Sequence, residues 1–311
     1  MDILTIQNLS HSFGEKQVLN GLDLSVPEGS VYGFLGANGA GKTTTMKITL
    51  GLLQPAEGSV TVLGEPVRYG GASTNRHIGY LPDVPAFYGY MRPPEYMALC
   101  GAVSGMDKAK ARKRSEELLE LVGLRNNRGE KIKGFSRGMF QRLGIAQALL
   151  HEPRLLICDE PTSALDPAGR KEILDLLMAV RTRTTVLFST HILSDIERVC
   201  DRAAVLHGGK IAVEGTLAEI KARHEGREGA DGYAVTVANP MARDALRRAL
   251  AAEMPDARVQ PEGDITYTAF SDQQGGGVRL IILLARLQIV PDRFELRELT
   301  LESLFLEVTD Q

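Results

Sequence analysis

Residues 36–44 read Gly-Ala-Asn-Gly-Ala-Gly-Lys-Thr-Thr and match the pattern G-x-x-x-x-G-K-[ST]. Residues 30–35, just before this stretch, have the apolar character of a short buried strand. Residues 42–53, at its end, contain no proline and are expected to form a helix. A strand, a glycine-rich turn and a helix in this order predict a loop whose backbone N–H groups surround a phosphate at the positive end of the helix.

The loop residues have distinct predicted roles. Lys42 is expected to reach the β- and γ-phosphates of a nucleoside triphosphate, and the Thr43 hydroxyl is expected to hold Mg²⁺. Glycine-rich turns also precede helices in proteins that bind no ligand, but a lysine and a threonine at these two positions favour the nucleotide. The residues predicted to contact it are Gly36, Ala37, Asn38, Gly39, Ala40, Gly41, Lys42, Thr43 and Thr44.

Two adjacent acids follow a second apolar stretch. Residues 155–158 read Leu-Leu-Ile-Cys and precede Asp159 and Glu160, which predicts a buried strand with both acids at its C-terminal end. Because burial of two carboxylates without a cation is costly, Asp159 is expected to share the metal held by Thr43. Glu160 is then placed to orient or deprotonate the attacking water. The alternative is a pair of acids that leave the sheet into solvent.

Further polar residues lie beside these stretches. His191 follows an apolar strand over residues 184–190, so it is expected on the ligand side of the sheet, where it either donates to a γ-phosphate or has a structural role. Asp166 precedes Pro167 and has the pattern of a helix N-cap. Ser136 opens a helix that runs to about residue 150, as a cap or as part of a ligand site. Phe13, in a predicted turn over residues 12–14, either stacks on an adenine or packs in the hairpin.

Composition excludes several classes of protein. The 311 residues carry a net charge of −3, so no basic field indicates nucleic acid. The basic run over residues 108–114 is expected to be a solvated helix face. Three cysteines with no C-x-x-C spacing indicate free thiols in a reducing compartment. No stretch approaches the roughly 20 apolar residues of a membrane helix, and the first residues lack a signal-peptide pattern. The chain is therefore expected to be cytoplasmic, with any membrane role supplied by a partner.

The order of these motifs resembles the ATP-binding cassette ATPases, the ABC superfamily, from Ile3 to about Ala222. Residues 36–43 resemble the Walker A motif of that family, and residues 155–159 its Walker B motif. The resemblance implies an α/β fold in which a P-loop ATPase core carries edge antiparallel β-strands and a helical subdomain. It implies ATP as substrate and Mg²⁺ as cofactor, with Glu160 as the catalytic glutamate and His191 as the switch histidine. It also places Phe13 at the adenine-stacking position and Asp166 in the D-loop.

Two sites depart from the family pattern. Asp83 stands at the Q-loop position, where the family usually has Gln, and is expected to face Mg²⁺ or the attacking water. Residues 135–139 stand where the family signature, usually Leu-Ser-Gly-Gly-Gln, is found, with Arg and Met in place of one Gly and the Gln. In the family the signature of one subunit faces the phosphate loop of another, which implies a homodimer. The residues implied to contact ATP across that dimer are Ser136, Arg137, Gly138 and Met139.

The last part of the chain is predicted to be a separate small domain. Residues 223–232 have the polar, glycine-rich composition of a linker, and residues 233–311 alternate between strand and helix patterns close to the order βαββαβ, followed by a helix from Thr300. We therefore predict an ATPase domain over residues 1–222, with its helical signature subdomain at about 84–150, a linker, and a C-terminal α+β domain. This last domain carries no catalytic constellation, and its role is either regulation and dimer contact or packing.

The signature substitutions are similar to those of the ABC branch that exports drugs, antibiotics or lipids, in which the permease is a separate chain. This resemblance implies an integral-membrane permease as partner, with the chain peripheral on the cytoplasmic face of the membrane. Residues 83–97, rich in Tyr, Phe, Met and Pro, either receive a helix of that permease or belong to the core. The alternative function is a soluble ABC-type ATPase in translation, DNA repair or chromosome handling. Against it, the chain has one cassette, no long coiled-coil insert and no strongly basic domain.

Overall fold

A computed structural model describes residues 1–220, 232–255, 257–269 and 273–297 of the chain. The chain divides into two compact units, Met1–Leu217 and Ala218–Gln311. In the residues that the structure describes, the first unit contains two sheets with helices packed on them, and the second contains one sheet with helices. Within the described residues, no helix is both long enough and apolar enough to cross a membrane.

The first sheet of unit 1 is antiparallel. Strands β1 (Asp2–Phe13) and β2 (Lys16–Pro27) form a long hairpin, and β1 also pairs with β4 (Glu57–Val62), whose partner is the short β5 (Glu65–Pro66). The turn of the hairpin consists of Gly14 and Glu15, whereas the sequence predicted it over residues 12–14. Phe13 is the last residue of β1 and pairs with Lys16. Gly14 takes the left-handed conformation, with φ of 60°, that glycine tolerates best.

The second sheet is mostly parallel and has six strands. They are, in spatial order, β10 (Lys210–Thr216), β9 (Arg202–His207), β3 (Val31–Gly36), β8 (Thr185–Thr190), β7 (Leu155–Cys158) and β6 (Ile78–Leu81). Only β10 is antiparallel to its neighbour. Every residue of β3, β7 and β8 is buried, which explains their almost continuous apolar sequences: parallel strands are covered on both faces.

The helices of unit 1 follow these strands. Helix α1 (Lys42–Thr49) comes after β3, and α5 (Pro167–Val180) and α6 (Leu193–Val199) follow β7 and β8. Between β6 and β7 lie three helices, α2 (Pro93–Val103), α3 (Lys108–Leu121) and α4 (Arg137–Ala148). Asp107 caps α3 through backbone N–H groups of the first turn. The polar residues 74–77 form a 3₁₀ turn directly before β6.

The parallel pairing places several predicted residues at one edge of this sheet. The phosphate loop follows β3, Asp83 follows β6, the two acids follow β7 and His191 follows β8. Parallel strands end on the same side, so their C-terminal ends form the crevice where ligands of open α/β sheets bind. These residues therefore lie together although up to 155 positions separate them in the chain.

Unit 2 has the order βαββαβ in its described residues. Its elements are β11 (Gly232–Thr236), α7 (Pro240–Glu253), β12 (Arg258–Glu262), β13 (Ile265–Ala269), α8 (Gln273–Arg286) and β14 (Arg293–Arg297). The strands lie in the order β12-β13-β11-β14, and all neighbours are antiparallel. Val235, Leu246 and Leu280 belong to its buried apolar cluster.

The predicted order βαββαβ is confirmed in the described residues, and β12 is the strand with the weakest sequence pattern. Its sequence Arg-Val-Gln-Pro-Glu has little apolar alternation, and a proline is tolerated in a strand only at a sheet edge, where β12 lies. The predicted linker falls almost wholly outside the described residues, and Gly232, its last residue, is the first residue of β11. The helix predicted from Thr300 also lies outside the described residues.

Candidate functional site

The phosphate loop has the backbone that its glycines predict. Gly39 and Gly41 have φ angles of 83° and 113°, a region that side chains rarely adopt. A Cβ atom at Gly41 would lie 2.7 Å from Cδ2 of Leu19, so the glycine is also required by close packing. Helix α1 begins at Lys42, directly after this turn. Residues 37–39 are exposed, so the loop presents backbone and a helix N-terminus to a ligand from solvent.

Lys42 carries a buried charge at the base of this loop. Its residue is only 5% exposed, and its Nζ donates to the carbonyl oxygen of Gly36 at 2.6 Å. The same Nζ lies 3.0 Å from Oε1 of Glu160. A buried ammonium requires a counter-charge, and Glu160 supplies it. Sequence motifs that lie 118 positions apart are thus joined by one ion pair.

Glu160 is held from three sides. Its Oε2 lies 2.8 Å from Nδ1 of His191, its Oε1 faces Lys42, and its backbone N–H donates to Oγ of Ser189 at 3.0 Å. Its φ of 48° is in the left-handed region, which is uncommon for a residue with a side chain. The surrounding contacts therefore fix the direction of the carboxylate, which is 12% exposed, at the edge of the sheet.

Asp159 is more deeply buried than Glu160, at 2% exposure. Its Oδ1 accepts a hydrogen bond of 2.7 Å from Oγ of Ser189, and its backbone N–H donates to the carbonyl oxygen of Leu81. Ser189 was not singled out by the sequence predictions, although it is the polar residue on β8 next to the first acid. Its hydroxyl accepts from one acid's backbone and donates to the other acid's side chain.

The donor set fits Mg²⁺ bound together with a nucleotide. Within the described residues the buried carboxylate of Asp159 accepts a hydrogen bond from the Ser189 hydroxyl alone. Thr43 is an exposed hydroxyl residue in the first turn of α1. In the described part of the chain no three His, Cys, Asp or Glu residues form a cluster able to hold a metal by themselves. Such a cluster is not required, because Mg²⁺ in nucleotide sites takes one or two protein ligands, the substrate phosphates and water.

The charged groups of this site act on the Asp83 carboxyl group. Burial raises the pKa of its carboxyl group, and the charges of Asp159 and then Glu160 raise it further, whereas Arg137 and His191 lower it. Its Oδ1 is buried and makes no hydrogen bond within the described residues. Its backbone carbonyl accepts from Nε2 of Gln141 at 2.9 Å. Asp83 therefore lies between the acids of the phosphate site and the residues of α4.

The N-terminus of α4 has the predicted cap. Oγ of Ser136 accepts from the backbone N–H of Met139 at 3.3 Å, so the capping role is confirmed, and the role as ligand stays a prediction. Ser136 and Arg137 are exposed, and Gly138 and Met139 are half-buried. A cavity of about 310 Å³ lies beside this terminus. It is lined by Asp83, Val84, Pro85, Phe135, Arg137, Phe140 and Gln141.

Phe13 is 53% exposed at the end of β1. Its ring meets the ring of His11 edge-on, with centroids 4.7 Å apart, so it is not part of the buried core. The exposed ring is compatible with stacking on an adenine, and this role stays a prediction.

Asp166 caps α5, as predicted: its Oδ1 accepts from the backbone N–H of Gly169 at 3.1 Å. The sequence predictions missed a buried network beside it. Asp195, 1% exposed, accepts from the Thr162 hydroxyl at 2.7 Å and from Nε of Arg170 at 2.6 Å. This network ties the loop after Glu160 to the helix after His191. An acid in the first turn of α6 was the available signal, but its partners lie 25 and 33 positions away.

The chain is similar to known proteins over its first unit. A family model described as ABC transporter matches residues 19–163. An uncharacterised ABC transporter ATP-binding protein, YxlF of Bacillus subtilis, is 43% identical over 223 residues, 72% of this chain and 74% of that protein. The bacitracin transport ATP-binding protein BcrA of Bacillus licheniformis is 39% identical over 224 residues, 71% of this chain and 72% of that protein.

Solved structures of ABC transporter proteins are also similar to this chain. The ATP-binding subunit of an ABC transporter superposes with a TM-score of 0.65 at 32% identity, over 71% of this chain and 92% of that chain. CbiO1 of Clostridium perfringens, part of an ABC transporter complex, superposes with a TM-score of 0.66 at 25% identity, over 82% of this chain and 96% of that chain. These neighbours confirm the predicted α/β fold of an ABC ATPase.

The buried Asp195 network generates a test of stability. Asp195→Asn removes the charge opposite Arg170 and is expected to lower the free energy of unfolding by about 1–3 kcal/mol. Asp175→Asn is the matched control, because Asp175 pairs with Arg198 on the surface. Such an exposed ion pair contributes less than about 1 kcal/mol to the free energy of unfolding. Urea denaturation of both variants measures the difference. Equal losses would show that burial of Asp195 has no energetic weight.

The raised pKa of the Asp83 carboxyl group predicts how the stability of the fold depends on pH. The folded protein binds the Asp83 proton more tightly than the unfolded chain does, so this carboxyl group destabilises the fold as the pH rises from its ordinary pKa of 3.8 through its raised value. Asp83→Asn is therefore expected to raise the melting temperature more at about pH 7 than at about pH 4. Thermal unfolding across this range measures the effect. If the gain in melting temperature of Asp83→Asn over the wild-type protein becomes smaller as the pH rises, the direction of the pKa shift is wrong.

Proposed function

This chain belongs to the ATP-binding proteins of ABC transporters, and we propose that it is the subunit whose ATP hydrolysis drives export through a partner membrane permease. The ABC ATPase family hydrolyses ATP. The observation that carries the proposal is the contact of Glu160 with both Lys42 and His191 at the mouth of the phosphate loop. A phosphate-binding lysine, a carboxylate and a histidine are thereby gathered around one position.

In the proposed reaction Glu160 acts as general base. The oxygen of a water molecule forms a bond to the γ-phosphorus, the bond from phosphorus to the β–γ bridging oxygen breaks, and ADP and phosphate result. The proton of the water passes to the Glu160 carboxylate. His191, 2.8 Å from that carboxylate, orients it, and we assign to it a hydrogen bond to a γ-phosphate oxygen.

Lys42 has to change partner during this reaction. Its ammonium faces Glu160 at 3.0 Å, and the triphosphate supplies a stronger negative charge that competes for it. Release of Glu160 from Lys42 then leaves the carboxylate free to accept a proton. Thr43, Asp159 and Asp83 are the residues proposed to hold Mg²⁺, which would neutralise charge on the β- and γ-phosphates.

The proposed active assembly is a homodimer on a permease. Dimerisation is typical of the family, and we assign the contacts to the ATP of the second copy to residues 136–139 at the exposed N-terminus of α4. The proposed permease surface lies over residues 83–97, where Val84, Tyr88 and Tyr90 are exposed by 72%, 54% and 66%. The chain would then work at the cytoplasmic face of the membrane.

The proposed cargo is a drug, antibiotic or lipid-like molecule. Its support is the similarity to the bacitracin transport protein BcrA, together with the Arg and Met substitutions in residues 135–139. Nothing among these findings favours the alternative of a soluble ATPase in translation or DNA repair.

Glu160→Gln tests the catalytic assignment. The variant keeps the size and hydrogen-bonding reach of the side chain but cannot take the proton, so its kcat for ATP hydrolysis is expected to fall at least about 100-fold. ATP binding is expected to persist, and ATP is expected to trap a dimer that gel filtration detects. Hydrolysis at the wild-type rate would show that another group is the base.

Capture from membranes tests the partner. Tagged Glu160→Gln protein with ATP is expected to co-purify with a stoichiometric polytopic membrane protein from solubilised native membranes. Adding Tyr90→Asp is expected to abolish this capture, whereas Tyr69→Asp, at a site of similar exposure (62%) outside the proposed surface, is expected to preserve it. Recovery of ribosomal proteins, or of no membrane protein, would overturn the exporter assignment and leave the ATPase assignment intact.

A further inference from the structure

Helix α8 of unit 2 is apolar on two opposite faces. Leu280 and Leu284 belong to the buried apolar cluster of the unit. On the other side of the helix, Val278, Ile281 and Ile282 are exposed by 58%, 55% and 61%. A helix that is apolar on all sides is normally buried on all sides. We call these three exposed residues the outer stripe of α8, and we expect it to be covered in the folded protein.

Two arginines lie beside the outer stripe. Arg279 and Arg286 are three and four positions from Ile282, so they are its neighbours on the helix surface. Arg286 forms an ion pair with Glu253 of α7, and residues 273–286 contain no acid. A second copy of α8 would bring like charges together across the contact, which is unfavourable. The surface therefore fits a partner that is apolar and acidic.

The end of this chain has that composition. Residues 298–311, which follow β14, lie outside the described residues. They contain no Lys or Arg, and their acids are Glu298, Glu302, Glu307 and Asp310. The helix that the sequence predicts from Thr300 carries on one face the apolar residues Leu301, Leu304, Phe305 and Val308.

The apolar faces of α8 and of this predicted helix have the same spacing. In α8 the outer stripe and the exposed Ala285 occupy positions 278, 281, 282 and 285. In the predicted helix the apolar face occupies positions 301, 304, 305 and 308. Both sets follow the i, i+3, i+4, i+7 pattern of a single helix face, and each face is about 10 Å long.

The final segment begins close to the start of the outer stripe. A Cβ atom at Gly277 would overlap the Tyr233 hydroxyl, so α8 lies directly on this tyrosine where the stripe begins. Tyr233 of β11 is the cross-strand partner of Leu296, which is one residue before the end of β14. Four residues after that end span at most about 13 Å when extended, more than the diameter of a helix at about 10 Å. The segment can therefore reach the outer side of α8.

We infer that residues 300–308 pack as a helix on the outer stripe of α8 in the same chain. The contact removes exposed aliphatic side chains of both segments from water, which favours it. It also brings an acidic segment to the side of α8 that carries Arg279 and Arg286. This contact completes unit 2 and does not depend on the proposed ATPase activity.

Hydrogen exchange in the full chain tests whether the segment covers α8. Phe305→Asp places a charge on the apolar face of the segment and is expected to speed exchange of α8 amides at least about 10-fold. Ser303→Asp adds the same charge on the opposite side of the predicted helix and is expected to leave that exchange unchanged. Unchanged exchange in unit 1 shows that both variants are folded. Equal exchange of α8 in the two variants would overturn the inference.

A double variant tests whether the two segments act on each other. Ile282→Asp is expected to speed exchange of α8 amides as Phe305→Asp does, because either charge separates the segments. The variant with both substitutions is expected to exchange no faster than Phe305→Asp alone, since no contact is left to lose. If Ile282→Asp has the same effect in the presence and absence of Phe305→Asp, its effect is independent of the segment and the inference is wrong.

Disulfide trapping identifies the chain that supplies the segment. Ile282→Cys is combined in turn with Leu301→Cys, Leu304→Cys and Phe305→Cys, and at least one pair is expected to oxidise within one chain, because a disulfide requires Cβ atoms about 4 Å apart. Ile282→Cys with Ser303→Cys is the matched control and is expected to stay reduced. A link between two chains on a non-reducing gel would assign the stripe to a second copy. No link in any pair would leave the stripe to another protein, and either result would overturn the inference.

Discussion

Parallel pairing of β3, β8, β7 and β6 is the constraint on which the site depends. Parallel strands bring their C-terminal ends to one edge of the sheet, and in this chain each of those ends carries a polar group: the phosphate loop, His191, the two acids and Asp83. Every residue of β3, β7 and β8 is buried, as are three of the four residues of β6, so apolar packing fixes the positions of these strands independently of the charged groups. The chemistry is thus placed by a framework that does not take part in it.

The elements that the sequence predicted well are those with a strong local signal. The phosphate loop, the apolar run before Asp159 and the caps Asp166 and Ser136 each depend on residues close together in the chain, and all lie where they were expected. Strand β12 has a weak signal, because its polar, proline-containing sequence lacks the alternation by which strands are recognised.

The sequence predicted which residues belong to the site better than it predicted the contacts between them. Lys42, Glu160 and His191 were each expected near the nucleotide, but no local pattern indicated that the lysine and the glutamate pair with each other. The network of Thr162, Arg170 and Asp195 escaped prediction for the same reason. Such pairs form between residues that only the sheet topology brings together. They determine the charge balance of the site, which sequence spacing does not reveal.

Ser189 has a consequence for how this site tolerates change over evolution. Its hydroxyl accepts from the backbone of Glu160 and donates to the carboxylate of Asp159, so one small group, fully buried, satisfies both acids at once. Alanine and valine offer neither function, and because Ser189 is fully buried a larger polar side chain would have to displace its neighbours. The position therefore accepts little besides serine and, where its methyl group is accommodated, threonine. A residue that takes no direct part in the chemistry is as narrowly restricted as the acids it supports.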